Sequence, residues 1–211
     1  MTERRSTALV QRHEELLARA CRVRFVREAT DGTLPAADFA RYLLVEEAFV
    51  LTASRVLGRV VWESTTWADL LPSAQSLTNL VTEQRDYFAG LRGRWPTEDG
   101  EAALTRAGVL SDVVLRQVAE AGRPAALAGM LAAETLYARW CTVAAATTVH
   151  RDPDLQAWID LHAQPPFTDQ VEALRTDVDG LDPAAVPDAD LDRWYADVLA
   201  AEIGFHDAVH G

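Results

Sequence analysis

The sequence predicts an all-α domain, and three observations predict it. No stretch of useful length alternates apolar and polar residues as a half-buried strand does. Gly and Pro fall mostly between segments whose apolar residues recur at helical spacing. Those segments are long and their connections short, the pattern of a helix bundle. The 211 residues suit a single domain over 1–211.

The elements follow in order. A first helix is expected over Ser6–Thr30, closed by Asp31-Gly32-Thr33-Leu34-Pro35. A second spans Pro35–Trp62. A third, Ser76–Arg92, lies between Pro72-Ser73 and Trp95-Pro96. Gly122-Arg123-Pro124 separates a fourth, Glu101–Gly122, from a fifth, Pro124–Thr148. Pro35 and Pro124 each fall in a first helical turn, where proline is best tolerated. Pro165-Pro166 divides Asp154–Ala163 from Phe167–Val178, and a loop from Gly180 to Pro187 precedes the last helix, Asp188–Val209.

Composition narrows the function. The net charge of −12 disfavours nucleic acid and anionic membrane surfaces as partners. The most apolar stretch, Pro124 to His150, is interrupted by Glu134 and Arg139 and reads as a core helix, not a membrane span. The N-terminal residues run into a charged amphipathic segment and do not read as a signal peptide. All 20 basic residues are arginine. Without lysine there is neither a pyridoxal-phosphate Schiff base nor a Walker A loop. Cys21 and Cys141 form no CxxC pair and are expected as reduced thiols of a cytoplasmic protein.

Chemistry is expected where acids interrupt apolar stripes. Glu46 lies on the stripe of Tyr42, Phe49 and Ala53. Glu134 sits amid Met130, Leu131, Tyr137 and Ala138, and Glu202 amid Val198, Leu199 and Phe205. A buried carboxylate is costly unless paired or hydrogen-bonded, so three of them suggest a shared polar pocket. A salt bridge to a nearby arginine is the alternative for each. For Glu134 it is weakened, because Arg139 lies on another face of the same helix. His162 follows Trp158 at helical spacing as a core histidine, a helix-end cation or a pocket hydrogen-bonder. Glu83 and Asp86 read as solvated or ion-paired. Glu202 with His206 and Glu83 with Asp86 have metal-like spacings. The Glu-x-x-His motifs of a di-iron bundle are missing, however, so no metal and no cofactor is expected.

At these residues the sequence resembles the TenA (thiaminase II) family. Phe25-Val26, Asp31-Gly32-Thr33-Leu34-Pro35, Phe39 and Tyr42-Leu43 match its "FV..L.DGTLP...F..YL" pattern. Trp158-Ile159 through His162, Phe167 and Val171 match "WI..Y.S..F...V", and Glu202 to His206 match "E..FW". The resemblance runs from Glu14 to Asp207 and lies in the order and spacing of the pieces. It implies the haem-oxygenase-like helical fold and a homodimer or homotetramer; the Ala-rich fifth helix leaves room for close helix approach.

The departures are informative. The family's nucleophilic Cys falls at Ala133, within Ala132-Ala133-Glu134-Thr135-Leu136-Tyr137. A Glu beside the missing Cys resembles the TenA_E branch, whose members hydrolyse aminomethylpyrimidine breakdown products of thiamin to hydroxymethylpyrimidine. Phe49, His162 and His206 replace Tyr, Tyr and Trp. The resemblance implies Glu46 holding the ring edge of a small-molecule pyrimidine substrate and Glu134 and Glu202 as catalytic acid and base. Tyr137 and His162 would orient groups, with Phe49 and Phe205 stacking on the ring. A TenA-like protein with another ligand or no activity, and a metal-dependent oxidase of the same fold, are the alternatives. The regulator role attached to some family names sits poorly with the acidic charge.

Overall fold

The computed structural model describes residues 3–97 and 100–210; Met1 and Thr2 of the N-terminal segment lie outside them. The described residues form helices and no strand: α1 (Arg5–Arg12), α2 (Glu14–Ala20), α3 (Arg24–Asp31), α4 (Ala36–Glu63), α5 (Trp67–Asn79), α6 (Arg85–Arg94), α7 (Glu101–Ala121), α8 (Arg123–Ala145), α9 (Pro153–Ala163), α10 (Phe167–Asp179) and α11 (Asp188–Asp207). A π-helical turn, Leu80–Gln84, joins α5 to α6.

The expected first helix is broken twice, at His13 and at Cys21-Arg22-Val23, where Val23 is extended. Each piece serves a different neighbour: α1 lies on α10, α2 on α11, and α3 on α8 and α11. His13 meets Asp192 at 3.0 Å and stacks on Tyr195. The chain bends to follow the bundle surface, so packing overrides the local helical pattern. α3 stops at Gly32, whose φ of 69° is left-handed. A side chain there would also strike the His150 carbonyl at 2.6 Å.

The expected third helix starts nine residues too late, and Pro72 does not break α5. Thr66 caps α5 by accepting the Asp69 N–H at 3.2 Å. No residue of α5 is buried, so the carbonyl that Pro72 leaves unpaired can be solvated. Pro35 caps α4 from outside the helix instead of entering its first turn.

α8 is the centre of the bundle and contacts α3, α4, α7, α9, α10 and α11. Its small residues Ala125, Ala128, Gly129 and Ala132 are buried and let those neighbours approach. The Ala-rich face therefore serves the core and is not free for another copy of the chain. The largest exposed apolar side chains lie elsewhere, with Trp62 82% and Trp67 75% exposed at the α4–α5 corner. Among the described residues, no helix is long and apolar enough to cross a membrane.

Helix directions set up the site. Thr52 bonds Ser111, and Glu63 accepts the Arg123 N–H just past the end of α7, so α4 and α7 run parallel. Tyr137 bonds Glu46 while the start of α8 lies at Glu63, so α8 runs antiparallel to α4. A cavity of about 560 Å³ lies between these helices, α11, α9 and the α5–α6 segment.

Candidate active site

All seven expected residues line this one cavity: Glu46, Phe49, Glu134, Tyr137, His162, Glu202 and Phe205. They come from four helices, and the helical period explains why. Glu46 and Phe49 are one turn apart on α4, Glu134 and Tyr137 on α8, and Glu202 and Phe205 on α11. His162 ends α9.

Tyr137 is the hub of the polar end. Its hydroxyl donates to the Glu46 carboxyl and accepts from the Tyr42 hydroxyl at 3.1 Å. Burial raises the Glu46 pKa to about 7, against the lowering effect of the Tyr137 and Tyr42 hydrogen bonds. Burial and the nearby Glu46 charge hold both tyrosines well above their usual range.

Glu134 takes one hydrogen bond, from the Gln170 amide at 2.9 Å, and its Oε2 has no protein partner. Burial raises its pKa to about 8. No arginine reaches it; Arg139 turns outward and pairs with Glu14 at 2.5 Å. Glu202 is 1% exposed; its Oε2 takes no hydrogen bond and lies 3.5 Å from His206 Nδ1. Burial, and then repulsion from Glu46, hold its pKa well above the ordinary value. At neutral pH these carboxyls hold protons that exposed ones would release.

The histidines are neutral for the same physical reason. His162 Nδ1 donates to the Trp158 carbonyl at 2.7 Å, and burial lowers its pKa to about 4. A neutral ring that donates through Nδ1 leaves Nε2 as an acceptor. His206 bonds the Glu202 carbonyl at 2.8 Å and is also lowered to about 4 by burial. It lies behind Glu202 and outside the cavity lining.

The aromatic walls are Phe49 against Phe205 at 5.7 Å, and Trp158 against His162 at 4.3 Å and Tyr87 at 6.2 Å. Sequence reasoning missed the parts played by Tyr42, Tyr87, Trp158 and Gln170. Trp158 at four residues before His162 was a readable signal; Gln170 gave none. Glu83, expected to be solvated or ion-paired, is exposed and lines the cavity from the π turn, while Asp86 pairs with Arg85.

Neither metal-like spacing assembles a donor cluster. Among the described residues, one group has donor atoms close enough for a metal ion: Glu28, Asp38 and His210, away from the cavity. Two of its carboxylates are already paired, Glu28 with Arg24 and Asp38 with Arg41.

Solved structures decide the fold. A TenA homologue from P. horikoshii OT3 superposes with a TM-score of 0.85 at 14% identity, covering 98% of both chains. The fold is that of the TenA proteins. A protein of Silicibacter sp. TM1040 named a TenA family transcription regulator gives 0.84 at 18% identity, over 97% of this chain and 96% of its own. A Sulfolobus solfataricus P2 protein, provisionally named a TenA-like thiaminase, gives 0.71 at 17%, over 96% and 94%. No family model and no curated protein matches the sequence. The TenA fold is the haem-oxygenase-like all-α bundle, as the family resemblance implied.

Proposed function

We propose that this chain is a cofactor-free hydrolase of the TenA_E type, acting on thiamin-derived aminopyrimidines and returning hydroxymethylpyrimidine. One observation carries the reading: Glu46, Glu134 and Glu202 converge on a single cavity without a cation among them. The TenA fold and the matched motifs support it.

In this reading Glu46 meets the aminopyrimidine edge, a ring nitrogen beside an exocyclic amine, with two hydrogen bonds. Phe49 and Phe205 hold the ring, and Tyr137 and His162 orient it. Of Glu134 and Glu202, one has released its proton in the reactive form and takes a proton from water as the water oxygen bonds to carbon. The other is a carboxylic acid and gives its proton to the departing nitrogen as the carbon–nitrogen bond breaks. Raised carboxyl pKa values suit both tasks near neutral pH. Ala133 at the family's Cys position leaves no thiol nucleophile there.

The test is direct. The purified chain is given aminomethylpyrimidine and its N-formyl derivative, with ammonia, formate and hydroxymethylpyrimidine measured. Absence of turnover on both, with no binding of hydroxymethylpyrimidine, would sink the reading. We further infer a cytoplasmic homo-oligomer joined through the exposed Trp62 and Trp67 corner. Sedimentation at micromolar concentration should give a multiple of 23.2 kDa, and a single-chain mass refutes it.

A further inference from the structure

The cavity is longer than the polar end needs. Its lining follows α4 from Glu46 through Ala53 to Val56 and Leu57, about 16 Å along the helix axis at 1.5 Å per residue. Tyr137 bonds Glu46, Tyr42 bonds Tyr137, and Glu202 is near enough for Glu46 to repel its charge. At the far end the same cavity is walled by Val56 and Leu57 of α4 and Val114 of α7. The Thr52–Ser111 bond at 2.9 Å holds α7 alongside this stretch of α4. Cavities of roughly 300–1,000 Å³ bury drug-sized ligands. At about 560 Å³ this one exceeds what a single six-membered ring fills.

The charge of the lining is one-sided. Glu46, Glu83, Glu134 and Glu202 face the cavity, and no arginine does among the described residues. An anionic ligand group would be buried beside carboxyl groups without a counter-charge, which is costly.

We propose that the cavity takes a two-part ligand, a nitrogen base at the carboxyl end joined to an uncharged apolar group that fills the Val56–Leu57 end, and that it rejects phosphorylated ligands. Placing an aminopyrimidine at the carboxyl end rests on the hydrolase reading above; the two-part shape and the charge rule rest on the lining alone.

Calorimetric titration of the full chain tests this with two series. The first is N-acyl aminomethylpyrimidines of increasing acyl length, with hydroxymethylpyrimidine and its phosphate ester beside them. The second is linear primary alkylamines, which carry a base and a chain but no ring. Each methylene that reaches the apolar end should tighten binding roughly fourfold. The phosphate ester should bind at least about a hundredfold more weakly than the alcohol, more than two such methylenes contribute. Ala53→Phe, which fills the passage, should abolish the gain with length; a melting curve checks that it folds. If it does not fold, the two series on the unmodified chain decide. Affinity that stays flat with length in both series overturns the proposal, as does a phosphate ester binding as tightly as the alcohol. Alkylamines that gain affinity with length while no pyrimidine binds would uphold it and refute the aminopyrimidine reading.

Discussion

Acids on the α1–α10–α11 face and acids in the cavity are the same chemical groups in opposite company. On that face Arg4 pairs with Glu172 and Asp179, Arg5 with Asp188, and Arg12 with Asp192, at 2.5–2.8 Å. In the cavity Glu134 meets a neutral amide and Glu46 a phenol. Arginine is the chain's one basic side chain beyond its histidines, and none lines the cavity among the described residues; even the buried Arg151 turns to the Ala29 and Ala144 carbonyls instead. The cavity acids are thereby left to burial, which lifts their pKa values. Exposed ion pairs contribute at most about 1 kcal/mol each. A desolvated carboxyl instead holds a proton at the pH where chemistry needs it. In the proposed hydrolase the cavity trades stability for reactivity, and the surface does not.

The sharpest test of that contrast exchanges an acid for its amide on each side. Glu134→Gln preserves size and hydrogen bonding but cannot exchange a proton. General acid–base groups typically supply about 10²–10⁴-fold in rate. Turnover of the aminopyrimidine should fall by about that factor, with ligand binding and the melting temperature retained. Glu14→Gln, on the surface beside Arg139, should leave turnover within about twofold, since an exposed pair contributes at most about 1 kcal/mol and does so far from the cavity. Near-normal turnover in folded Glu134→Gln would remove Glu134 from the mechanism and leave Glu202.

Tyr137→Phe addresses a second cavity acid, Glu46. It deletes the hydrogen bond that lowers the Glu46 pKa, so that pKa should rise from about 7. A hydrogen bond to a charged group is worth about 1.5–3 kcal/mol, or roughly one to two pH units. The acid limb of kcat/KM should therefore move to higher pH by at least about one unit. A profile that only drops, without moving, would make Tyr137 structural.

A smaller effect lies in stability against pH. Glu134 titrates near 8 folded against 4.5 as the ordinary value, so the folded chain keeps a proton that the unfolded chain releases. Its contribution falls as pH rises through that window. His162 and His206, near 4 against 6.5, act oppositely and gain stability with rising pH up to about 6.5. The two trends oppose each other below 6.5, and above it the acids act alone. The melting temperature should decline from pH 6.5 to 8.5, and Glu134→Gln should flatten that decline. An undiminished decline in the variant would assign it elsewhere.

The cavity was legible in sequence because its acids interrupt helical stripes. Glu46, Glu134 and Glu202 each stand where periodicity demands an apolar residue, and the structure points all three inward. The breaks at His13 and Val23 were not legible, because they answer to three different packing partners. Nor was α5: Pro72 carries a breaker's signal, and only its exposure shows why the helix tolerates it. Gln170 reaches Glu134 from a helix 36 residues on, a contact that no local pattern encodes.

The smallest effect concerns the thiols. Both cysteines are free, Cys141 fully buried and Cys21 half-buried. Neither lines the cavity, and Ala133 stands where a thiol would have faced it. Burial, more than the nearby Glu46 charge, raises the Cys141 pKa well above its usual value, the opposite of what a nucleophile requires. Cys141→Ala removes little volume from the core, and Cys21→Ala less from the interior. Turnover should therefore change by less than tenfold in either variant, below about 1.4 kcal/mol in the barrier. Thiol-directed alkylation of the folded chain should be equally silent in the assay. A larger loss in Cys141→Ala with an unchanged melting temperature would demand a thiol in the mechanism. It would also erase the contrast between surface and cavity, because the working groups of the cavity would no longer be its unpaired acids.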